Sequence, residues 1–86
     1  MINPAIPFPA RYVAYVVVSD MGAPDGVHTF LNEAYIADAT GLDESQIEDS
    51  IAFLKREGYF RPAKRRTEAQ MGGVILDLPR LLGRSA

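Results

Sequence analysis

The sequence predicts a single α+β domain, mainly helical, with three helices followed by an antiparallel arrangement of two to three strands. Three observations predict it. Residues 30–60, FLNEAYIADATGLDESQIEDSIAFLKREGYF, carry the start and stop signals of two short helices joined by a tight turn. Before them, residues 10–21, ARYVAYVVVSDM, form a segment dominated by apolar side chains. After them, two stretches of strand character flank a polar, basic joint. The 86 residues suit one small domain, and 48% hydrophobic residues are enough to build a core.

Residues 1–9 read as an extended arm, because Pro4, Pro7 and Pro9 exclude a helix. Ile2, Ile6 and Phe8 make the arm apolar. It either lies against the domain's own surface or crosses to a partner, since a terminus stays loose unless something ties it down. In residues 10–21 the β-branched run favours a strand by propensity. Length and position before the helical pair favour a helix, and a first helix is the expectation. On a helical wheel Val13, Val16, Val17 and Asp20 share one face, with Tyr12, Tyr15 and Val18 on the others. A helix apolar nearly all round is covered on more than one side.

Gly22 to Gly26 reads as a loop, with Pro-Asp-Gly turn chemistry, and Val27 to Phe30 as a short strand. His28 stands alone. With no second His and no Cys in the chain, it has no zinc-ligand set, and a strand or loop histidine is the expectation.

The second helix is expected over 32–41. Asn32 can accept a bond from a first-turn amide, Leu31 and Ile36 have the spacing of a hydrophobic staple, and Gly41 permits the left-handed stop. The third helix is expected over 43–58. Asp43 is its cap, Gln46 completes a capping box, and Leu42 and Ile47 repeat the staple. Ile47, Ile51 and Leu54 form one apolar stripe, and Gly58 closes the helix. So short a joint forces a steep crossing, the helix-turn-helix arrangement. Residues 59–78 then read as a β-hairpin with a polar, basic tip, its second strand over Val74 to Leu78 and ended by Pro79. Residues 79–86 are a tail in which Arg80 to Gly83 form either a last helical turn or a docking segment.

Charge is unevenly spread. Residues 1–60 hold three basic and nine acidic side chains, and residues 61–86 hold six basic and two acidic ones, within a net charge of −2. The overall sign opposes non-specific nucleic-acid binding, while the basic C-terminal third favours a nucleic-acid contact. The absence of cysteine excludes disulfides and thiolate metal sites and is compatible with a cytoplasmic location. No apolar run approaches the ~18 residues of a membrane span. The proline-rich N-terminus does not read as a signal peptide. No enzymatic constellation emerges: Gly72-Gly73 is too weak for a phosphate loop, and the serines have only His28 as a base. Neither cofactor nor metal is expected.

Three helices, a short strand before the second and a basic hairpin after the third resemble the winged helix-turn-helix family. The likeness is closest to bacterial and phage domains of transcription regulators and replication initiators. It rests on Asp25-Gly26, on Ala-x-x-Thr-Gly-Leu at 37–42 and on Leu-x-x-x-Gly-Tyr at 54–59, within a pattern running from Gly26 through Leu78. The resemblance implies double-stranded DNA as partner, with the third helix in the major groove and the hairpin wing on phosphate. Carried over by position, the outward face of that helix is Glu44, Ser45, Gln46, Glu48, Asp49, Ala52 and Arg56. Ser45 and Gln46 would read base edges, and Glu48 or Asp49 would select cytosine. Lys64, Arg65 and Arg66 would hold the backbone, with Arg61 and Thr67 as further DNA-binding residues beside them. The chain departs from the family in its acidic third helix, since residues 43–57 hold five acidic and two basic side chains. That helix motivates an alternative from another class, a protein adaptor or inhibitor that binds a basic partner.

A homodimer is also expected, built on Ile6, Phe8, Tyr12, Tyr15, Val18, Leu81 and Leu82. A monomer exposing all of them would carry a larger apolar patch than soluble monomers usually tolerate.

Overall fold

The computed structural model describes residues 2–20, 28–62 and 73–83. Among them, four helices and three strands follow in the order α1 (Ala10–Asp20), β1 (His28–Phe30), α2 (Glu33–Thr40), α3 (Glu44–Arg56), β2 (Phe60–Pro62), β3 (Gly73–Leu76) and α4 (Leu78–Leu81). The architecture is α+β and mainly helical, with one three-stranded antiparallel sheet.

The helix ends are set by the expected side chains. Asn32 caps α2, its Oδ1 accepting the Tyr35 amide at 3.1 Å. Gly41 ends α2 at φ +74°, and its amide donates to the Ala37 carbonyl at 2.8 Å. Both bonds of the capping box form on α3: Gln46 N–H donates to Asp43 Oδ1 at 2.8 Å, and Asp43 N–H to Gln46 Oε1 at 3.1 Å. Leu31 and Leu42, the residues just outside the two caps, are half-buried against the core. Gly58 follows α3 with φ +83°, the left-handed conformation that stops a helix.

Residues 10–20 are helical despite their β-branched run, because the tertiary position rewards it. Val13, Ala14, Val16 and Val17 are buried where α1 packs on α2 and α3. Ile36 joins them from α2, and Ile47, Ile51 and Leu54 from α3. In the sheet β3 is central, pairing with β1 (Thr29 opposite Val74) and with β2 (Arg61 opposite Ile75). Alternation along β3 buries Val74 and Leu76, and Phe60 of β2 is fully enclosed beside them. The Tyr35 hydroxyl donates to Asp20 Oδ2 at 2.9 Å, tying α2 to the end of α1.

Two expectations are corrected. The last strand stops at Leu76 rather than Leu78. Asp77 caps α4 instead, and its amide donates to the Tyr59 carbonyl at 2.9 Å. Pro79 therefore lies in the first turn of a helix, where its missing N–H has no partner to lose. The second concerns the dimer face: of its two expected placements, the N-terminal arm takes the one against its own domain. The Asn3 amide donates to the Leu81 carbonyl at 2.7 Å, and Asn3 Nδ2 to the Arg80 carbonyl at 2.9 Å. With the arm held there, Ile6 and Leu81 are both 0% exposed in the chain's own core. Neither can face a second copy, as the dimer expectation required. Val18 and Leu82 are half-buried against the same core. Phe8, Tyr12 and Tyr15 remain exposed.

Candidate nucleic-acid interface

The face of α3 opposite its buried stripe is open to solvent. Glu44, Ser45, Gln46, Glu48, Asp49, Ala52 and Arg56 are all exposed, as the wheel predicts once Ile47, Ile51 and Leu54 point inward. Ser50 is the polar exception, buried with its hydroxyl donating to the Gln46 carbonyl at 2.7 Å. Gln46 is partly committed. Its Oε1 accepts the Asp43 amide, so its Nε2 is the part left to contact a ligand.

Charge is segregated along α3. Glu44, Glu48 and Asp49 occupy the N-terminal half, and Lys55 and Arg56 the last turn. This order suits the helix dipole. The acidic half is nonetheless self-repelling. The Glu44 carboxylate, four residues before Glu48, holds the Glu48 carboxyl above its ordinary value. Loss of hydration adds to the shift, followed by the charge of Glu33. Glu33 was not among the sequence-level candidates. It lies on the helix before Glu48's own, and only the crossing of α2 and α3 brings its charge to bear on Glu48. Its place in the first turn of α2 was the one available signal.

At the other end, the Arg56 guanidinium lies 5.5 Å from the Phe53 ring centroid and 3.5 Å from the Glu57 carboxylate. Both side chains of that ion pair are well exposed, so solvent screens it and Arg56 stays available. Arg61 is exposed on β2, which follows α3 after three residues and leads toward Lys64-Arg65-Arg66. Lys64, Arg65, Arg66 and Thr67 lie outside the described residues. Among the described residues, no group of His, Asp and Glu could hold a metal ion, and no helix is long and apolar enough to cross a membrane.

A second surface was only partly anticipated. Phe8 and Tyr12 stack with ring centroids 6.4 Å apart, beside Tyr15. Phe8 also lines a groove with Gln46, Asp49 and Phe53, so the arm reaches the flank of α3.

The chain matches no protein-family model, no curated protein and no solved structure.

Proposed function

We propose that this domain is a winged helix-turn-helix that binds double-stranded DNA sequence-specifically, as a small transcription regulator of bacterial or phage type. The reading is carried by one arrangement. An open polar face on the second helix of a capped pair is followed directly by a strand bearing Arg61 and then, in sequence, by Lys64-Arg65-Arg66. The reading is supported by β1 preceding the helical pair and by β2 and β3 following it as antiparallel partners. In this reading α3 enters the major groove. Ser45 and the Gln46 amide read base edges, and Glu48 accepts from cytosine N4. Arg56, Arg61 and the basic run bind phosphate and hold the helix in register.

The second reading is an adaptor or inhibitor that binds a basic protein. It is favoured by the acidic convergence of Glu33, Glu44 and Glu48, which repels phosphate and attracts Lys or Arg. Capture separates the two. Genomic fragments retained by the purified chain at physiological salt should enrich one motif if it is a DNA reader. Failure to enrich any motif, with a basic protein retained instead, overturns the first reading in favour of the second.

A further inference from the structure

We infer that the exposed Phe8–Tyr12–Tyr15 face binds a second copy of the same chain, with Arg11 of each copy set against Asp49 of the other. Three observations meet at Phe8. It is 63% exposed, the most exposed large apolar side chain among the described residues. It lines two open grooves at once. One, of about 570 Å³, runs along Ile2, Pro4, Tyr12 and Tyr15 with Arg11 among its lining residues. The other, of about 270 Å³, runs between the arm and α3, with Asp49 and Phe53 lining it. Arg11 and Asp49 are both exposed, and among the described residues neither side chain has an ion-pair partner.

The surface is therefore complementary to itself. Phe8 lines one apolar groove that carries a cation and another that carries an anion. A two-fold axis near Phe8 lays the cationic groove of one copy over the anionic groove of its partner. Symmetry makes the Arg11–Asp49 contact twice while both Phe8 rings are covered. A single unlike partner would need to present the same alternation of cation, ring and anion in reverse order. A second copy has it by construction. The arm contributes by position rather than by exchange, since Ile6 is buried in its own core and fixes Phe8 beside α1.

Light scattering on the full chain without nucleic acid tests this independently of DNA binding. At micromolar concentration the expected mass is twice 9.4 kDa. Arg11→Asp and Asp49→Arg should each weaken association by at least about tenfold, because each places like charges together twice. Joining both substitutions in one chain restores opposite charges and should restore the dimer. Circular dichroism of the variants should match the parent, since both positions are exposed. A mass of 9.4 kDa for the parent overturns the dimer. A dimer indifferent to both single reversals, or one the double reversal fails to restore, overturns this interface.

Discussion

The Arg80 guanidinium lies 4.5 Å from the centroid of the Tyr59 ring, and its Nη1 occupies the space where a side chain at Gly58 would begin. The C-terminal helix α4 thus seals the end of α3 as well as the arm. A Cβ at Gly58 would stand 2.8 Å from that nitrogen, at a φ of +83°. At Gly41, with φ +74°, a Cβ would meet nothing within 4 Å.

Gly41→Ala should therefore lose only the left-handed backbone term, about 1–2 kcal/mol. Gly58→Ala should lose that and also displace Arg80 from the Tyr59 ring. Urea denaturation checks the order: Gly58→Ala is expected to be the less stable of the two. Equal stability would mean that the Arg80–Tyr59 contact contributes nothing.

The arm makes a second contrast. Ile6 is fully buried and Phe8 is largely exposed, two positions apart. Ile6→Ala should cost about 2–5 kcal/mol through lost burial and the cavity left behind. Phe8→Ala, measured at a concentration where the chain is monomeric, should stay within about 0.5 kcal/mol of the parent. An Ile6→Ala variant as stable as the parent would show that the arm is not part of the core.

How far these features were legible depends on how local their causes are. Asn32, Gly41, Asp43, Gln46 and Gly58 act within a few residues of themselves, and the helix bounds read from them agree with the structure within two residues. The helical state of residues 10–20 was readable only from context, since its valines alone favour a strand. The burial of Ile6 and Leu81 was not readable. It depends on Asn3 meeting the end of α4, a contact spanning most of the chain. The strand end at Leu76 was missed because Leu78 continues the alternation of Val74 and Leu76, and Asp77 reads as a cap only once Pro79 is seen as the start of a helix. At the candidate site, the exposed face of α3 followed from periodicity. The approach of Glu33 did not, because the crossing of two helices sets it.

Glu48 gives a pH-dependent prediction. Its pKa is raised in the folded chain, first by Glu44. A group with a raised folded pKa stabilises when protonated. That contribution is present below the usual glutamate value of 4.5 and is lost as pH rises through the raised one. Glu48→Gln removes the repulsion, so it should raise the melting temperature at neutral pH. The gain should vanish in acid below that usual value. Melting curves across pH check this; a gain that persists undiminished in acid would assign the effect to something other than charge.

In the proposed DNA complex the basic segment after β2 holds the duplex while α3 reads it. The salt dependence of binding to a captured duplex measures that division of labour. Three phosphate contacts from Lys64, Arg65 and Arg66 predict a log–log slope of about −2.7 from these residues. Replacing all three by Ala should remove that share of the slope and most of the affinity. An unchanged affinity and an unchanged slope in the triple variant would show that these side chains do not hold DNA.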